Sequence, residues 1–187
     1  KNTVETDQET SLVQTVHKYV ELSGDRTILN EVIGGKKVAQ RLEESMDFLM
    51  NHRFNKQYGL ITGATTADWG DVQPEHGWGV DLDSNTHPAI DIYDNAMFII
   101  ALDNLTSLLP EAASKWKPVR ESIAQNCRRH LWDSTNQKFT PHIYLEKGSP
   151  FPPDFNERDI YYFGGTAIAI EAGLLSKEEI KTSLNEM

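Results

Sequence analysis

A chain of 187 residues, 39% hydrophobic and 25% charged, has the composition of one ordinary globular domain with its own core. Its 28 acidic and 18 basic side chains leave a formal charge of −10, which argues against nucleic acid or an anionic membrane as partner. The single cysteine, Cys127, excludes an internal disulfide framework, and no run approaches the roughly 18 apolar residues of a membrane span. No signal peptide is visible, so the compartment (periplasmic, secreted or cytoplasmic) stays open.

The first helix is expected from about Gln8 to Leu22, with Thr6 and Asp7 as cap candidates and Leu12, Val13, Val16, Tyr19 and Val20 as its apolar face. Ser23-Gly24-Asp25 stops it. A short helical turn over Thr27–Ile33 and the pair Gly34-Gly35 precede a longer helix that reaches about Asn51, with Val38, Leu42, Met46 and Leu49 on one stripe. Residues Pro88–Leu109 read as a helix apolar nearly all round, which predicts burial on most sides. Pro110 ends it. Glu111–Leu131 is amphipathic through Trp116, Val119, Ile123, Cys127 and Leu131, and places Cys127 as a buried thiol. A turn at Asp133–Asn136, a short strand over Phe139–Leu145 and a Pro/Gly loop over Gly148–Pro153 follow. Gly164–Gly173 is a short apolar helix, and Ser176 with Glu179 three residues on marks the start of a last one.

Helices thus come in pairs, one apolar all round beside one amphipathic. Two concentric rings of helices require such pairing. The expected class is all-α, with about three helical hairpins of a toroid of paired helices and one short β-hairpin. Residues 1–187 then form a single α-hairpin domain that is part of a larger catalytic unit.

Between the helices, His52–Pro88 has no clear periodicity. Loops this long inside a compact domain are uncommon and usually carry function or are disordered. Disorder fits poorly with Tyr58, Trp69 and Trp78, since disordered segments are poor in aromatics. The stretch also holds Asp68, Asp71, Glu75, His76, Asp81, Asp83 and His87. Carboxylates among indoles suit a site that stacks on sugar rings and does acid–base work on them. A loop whose indoles plug the core is the alternative.

Several passages, in chain order, resemble the six-hairpin (α/α)6 glycosidases, most of all the glycogen-debranching type amylo-α-1,6-glucosidase catalytic domain. They are Thr6-Asp7-Gln8-Glu9 with Ser23-Gly24-Asp25-Arg26-Thr27-Ile28-Leu29, then Asp68-Trp69-Gly70-Asp71. Ile90-Asp91-Ile92-Tyr93-Asp94-Asn95-Ala96-Met97 follows, then Leu131-Trp132-Asp133 with Phe163-Gly164-Gly165-Thr166. The middle Gly70 and the replacement of an R-P-N-Q passage by Arg158-Asp159-Ile160-Tyr161-Tyr162 depart from that pattern. The resemblance implies a glycoside hydrolase acting on an α-glucan or related oligosaccharide, inverting in mechanism and without a cofactor. It also implies the remainder of a catalytic domain as partner. A non-catalytic carbohydrate-binding relative and a helical scaffold domain are the alternatives.

Glycosidic cleavage typically uses one carboxyl group as acid and another as base or nucleophile. Asp71, at the position of the group's acidic residue, is the expected acid, and Asp68 the fallback or partner; a turn cap with Gly70 is the other reading of Asp71. Trp69 and Trp78 would be stacking platforms or core. Asp94 and Asn95, in the first turn of the buried helix, either bind sugar hydroxyls or cap it; capping suits Asp91. His87 joins the substrate-binding set. Asp81-Leu82-Asp83-Ser84-Asn85 begins like a calcium loop, but Thr86 and Ile92 stand where an EF-hand needs Gly and Glu, and no metal site is expected.

Overall fold

The computed structural model describes residues 6–64 and 82–186. Among them are six α-helices: α1 (Asp7–Ser23), α2 (Val38–His52), α3 (Ile92–Leu108), α4 (Ala113–His130), α5 (Phe163–Glu171) and α6 (Lys177–Glu186). Helix α3 is the centre. It packs against α1, α4 and α5, while α2 lies on α1, and α6 is tied to α4 by Arg128–Glu179 at 2.7 Å. As its unbroken apolar sequence requires, α3 is buried on nearly every side, with Ile92, Ala96, Phe98, Ile99, Leu102 and Leu105 fully enclosed. The stripe Val38, Leu42, Met46, Leu49 of α2 and Trp116, Ile123, Cys127 of α4 close the core around it.

Small sheets fasten the helix ends. Strands β1 (Val32–Ile33) and β2 (Lys36–Lys37) form a hairpin, as do β3 (Phe54–Asn55) with β4 (Leu60–Ile61) and β7 (Trp132–Asp133) with β8 (Lys138–Phe139). A three-stranded antiparallel sheet orders β5 (Gly63–Ala64), β6 (Pro88–Asp91) and β9 (His142–Tyr144).

Four expectations are corrected by these elements. The segment from Pro88 does not enter the helix at once: Pro88–Asp91 is a strand, and α3 begins at Ile92. Proline at the first strand position gives up no ladder bond, and β-branched Ile90 suits a buried strand. The turn after α1 is a 3₁₀ helix only over Thr27–Asn30, and Gly34 and Gly35, both with positive φ (57° and 81°), turn the β1–β2 hairpin. The strand expected over Phe139–Leu145 is split, its first part folding back on β7 and its second pairing with β6. The single β-hairpin therefore becomes three hairpins and a mixed-connection sheet. Their two- to four-residue strands are too short to leave a period in the sequence.

The ends of α1 also differ in detail. Gly24 closes it in the left-handed conformation, but Thr6 makes no side-chain cap; its hydroxyl donates instead to the Thr62 carbonyl oxygen at 3.2 Å. Ser176 and Glu179 do form the reciprocal cap of α6, at 2.8 and 3.3 Å.

Candidate functional site

The N-terminal ends of α1 and α3 meet. Asp91, last residue of β6, is the N-cap of α3, and its Oδ1 accepts the Asp94 backbone N–H at 2.8 Å. Tyr93, one residue into the helix, donates its hydroxyl to Asp7 Oδ2 at 3.2 Å. Asp94, on the same turn, is hydrogen-bonded to Thr6. Three carboxyl groups (Asp7, Asp91 and Asp94) therefore share one small region, and Asp91 and Asp94 are buried.

Such crowding has a chemical consequence. Burial first, then the negative charges of Asp91 and Asp7, push the Asp94 carboxyl well above the usual carboxylate range, against the weaker opposing pull of Thr6 and Arg53. A carboxyl so placed keeps its proton to higher pH than an ordinary aspartate, which is the direction the acid of a glycosidic cleavage needs.

Asn95 frames this region. Fully buried, it donates from Nδ2 to the Ile61 and Asp91 carbonyl oxygens at 3.0 and 2.8 Å, and its Oδ1 accepts the Ile61 N–H at 2.8 Å. It thereby clamps β4 to the start of α3. His87 stands at the beginning of the same strand system and donates from Nδ1 to the Gly148 carbonyl oxygen at 2.7 Å. Nearby, a cleft of about 500 Å³ lies between the β3–β5 region and the 82–88 approach, with Arg53, Thr62, Asp83, Thr86, Glu146 and Lys147 on its walls. Asp83 spends Oδ1 on the backbone N–H groups of Asn85 and Thr86, which makes 83–86 a turn. Among the described residues no group of three His, Cys, Asp or Glu side chains could hold a metal ion. Asp68, Trp69, Asp71 and Trp78 lie outside the described residues.

A second polar cluster adjoins the first, and the residue pattern alone did not expose it. Asp91 and His142 are register partners across β6 and β9, as are Ala89 and Tyr144. Directly opposed residues of an antiparallel pair lie on one face of the sheet, so Asp91, His142 and Tyr144 share a face. Ile90 and Ile143 take the other, against the core. Glu157 closes the cluster: His142 Nδ1 lies 2.6 Å from its Oε1, and the Tyr144 hydroxyl donates to its Oε2 at 2.8 Å. Burial and the Glu157 carboxylate push the Tyr144 hydroxyl upward, so it stays a donor. Tyr162, the N-cap residue of α5, presents its ring edge-on to His142 at 5.5 Å. The readable signal was the spacing of His142 and Tyr144, two apart in a strand. Glu157 gave none, since its neighbours Arg158 and Asp159 are exposed charges on the same short 3₁₀ turn.

Compared with solved structures, the chain is similar to a GH78 family rhamnosidase of Bacillus sp. GL1, with a TM-score of 0.65 at 14% sequence identity. The match covers 92% of this chain and 16% of the rhamnosidase chain, so this chain spans about a sixth of that enzyme's length. No protein-family model and no curated protein sequence matches it. At that identity the likeness establishes a shared fold: a mostly helical arrangement with small β-hairpins, as found in a glycosidase.

Proposed function

We propose that the chain is the site-bearing part of a glycoside hydrolase that cleaves an oligosaccharide by carboxyl acid–base catalysis. One observation carries this reading: Asp7 and the buried Asp91 and Asp94 share the helix ends of a fold that a glycosidase also uses, and one of them, Asp94, is pushed well above the usual carboxylate range. Among the described residues Asp94 is the carboxyl raised well above its ordinary range. Asp71, with Asp68 as partner or substitute, is the proposed acid of the connector, and Trp69 and Trp78 its sugar-stacking faces. The substrate is either an α-glucan, as the sequence resemblance implies, or a rhamnoside, as the solved neighbour's name implies.

The test is product release from nitrophenyl α-L-rhamnoside, isomaltose and maltotriose, run beside calorimetric binding of the same sugars. The reading expects turnover of one of them, lost in Asp71→Asn with binding retained. Binding without release in the unsubstituted protein would instead identify a carbohydrate-binding relative. Turnover undiminished in Asp71→Asn would remove Asp71 as the acid and leave Asp94 to be tested in its place.

A further inference from the structure

The cluster of His142, Tyr144 and Glu157 ends in an atom without a use. The His142 side chain is fully enclosed, its residue 5% exposed, and its Nε2 has no hydrogen-bond partner among the described residues. Native proteins seldom leave a buried polar atom unpaired, because its lost hydration is not replaced. Everything else about the ring is fixed. Nδ1 sits 2.6 Å from Glu157 Oε1, and Tyr144 fills the second carboxylate oxygen at 2.8 Å. A carboxylate only accepts, so Nδ1 carries a hydrogen, and in the neutral ring Nε2 presents a lone pair.

The position of that lone pair is equally specific. His142 lies directly across the β6–β9 ladder from Asp91, the N-cap of α3, and edge-on to Tyr162, the N-cap residue of α5. It therefore stands between the starts of α3 and α5, and α3 is the helix that carries Asp91 and Asp94 of the carboxyl cluster. In the neighbouring row of the same sheet face, Gly63, Ala89 and Tyr144 are aligned, so β5 and β6 carry no bulky side chain in that row. An unpaired acceptor calls for a donor, and a hydroxyl is one. A sugar carries several.

We propose that His142 is a sugar-binding residue of this site, its Nε2 accepting a hydrogen bond from a substrate hydroxyl while Glu157 and Tyr144 lock the ring in the Nδ1–H form. The assignment rests on the glycosidase reading for the nature of its ligand. Glu157 and Tyr144 act only through the imidazole and are positioning residues.

The experiment is a two-bond ¹H–¹⁵N spectrum of the imidazoles in the full chain at pH 7, recorded free and with L-rhamnose, isomaltose or maltotriose. In the free protein His142 is expected to carry its hydrogen on Nδ1, with Nε2 unprotonated. A bound sugar should move the Nε2 signal more than that of any other histidine. In parallel, His142→Phe should raise KM about tenfold, the loss of one ligand hydrogen bond of about 1.4 kcal/mol, with kcat changed far less. His142→Gln, which keeps an acceptor oxygen, should recover part of it. A hydrogen on Nε2 in the free protein overturns the assignment. So does an unmoved Nε2 signal with a sugar that calorimetry shows to bind, and in both cases the glycosidase reading stands. If no sugar of the set binds or is cleaved, both fall together.

Discussion

Asp91 faces His142 across the β6–β9 ladder while its carboxylate caps the helix that carries Asp94 three residues on. One aspartate thus links the sheet, the central helix and two buried polar clusters. Capping explains why a charged residue can sit 5% exposed at this junction: the helix N-terminus supplies a backbone donor and a favourable dipole. It also explains the asymmetry between neighbours. Asp91 is solvated by the helix end, so the cost of crowding falls on Asp94.

That cost has a definite sign in stability. Asp94 is held above its ordinary range in the folded chain, so below the unfolded aspartate value, about 4, both states are protonated and nothing is lost. As pH rises past that value the unfolded chain ionises and the folded one resists, and stability declines until the folded-state value is passed. Asp94→Asn removes the ionisation and keeps the shape. Urea unfolding between pH 4.5 and 8 should show the unsubstituted protein losing stability relative to Asp94→Asn, with a slope of up to about 1.4 kcal/mol per pH unit. Parallel curves would mean that Asp94 is ionised in the fold.

Asn95 should matter for folding. Truncation to alanine strands the Ile61 N–H, the Ile61 carbonyl and a lone pair of the Asp91 carbonyl in a region with no solvent. Buried donors and acceptors left unpaired cost about 1–3 kcal/mol each, less where the backbone relaxes. Asn95→Ala is expected to lower unfolding free energy by about 2–4 kcal/mol. A midpoint unchanged in urea would show that β4 is held by other means.

Much of this frame was legible in the residues. The unbroken apolar run after Ile92 announced a buried central helix, and the stripes of α2 and α4 announced their inner faces. Periodicity is informative over three or four turns. It says nothing about strands of two to four residues, so Pro88–Asp91 looked like helix and the sheet that aligns Asp91 with His142 was invisible. Asp94 was readable as a polar residue in a first turn; its upward shift comes from burial first and then from Asp91 and Asp7, and only the α1–α3 packing brings Asp7 near. Glu157 and His142, fifteen residues apart, meet through a loop with no pattern of its own.

The connector indole offers a separate test. If Trp69 stacks on a sugar ring, Trp69→Ala should weaken binding of the sugar that the protein cleaves by about 1–3 kcal/mol, the scale of other aromatic stacking contacts. Titration calorimetry measures this directly. An unaltered dissociation constant returns Trp69 to a packing role and leaves the carboxyl cluster unaffected.

The coupling between Asp91 and Asp94 supports the sharpest measurement. Asp91→Asn retains an acceptor for the Asp94 N–H, and asparagine is as good an N-cap as aspartate, so α3 should start where it does now. What changes is the charge. With the Asp91 carboxylate gone, one of the two named like charges on Asp94 disappears, and its carboxyl should titrate at lower pH than before, though still above the ordinary range because burial is the larger cause. Carbon-detected titration of the Asp94 carboxyl in both proteins reads this shift. Asp91→Ala makes the contrast, since it removes the charge and the cap together and should cost about 1 kcal/mol of stability that Asp91→Asn does not. An Asp94 titration indifferent to Asp91→Asn would mean that the two carboxyls do not interact, and the acidic site would lose the relationship on which its chemistry depends.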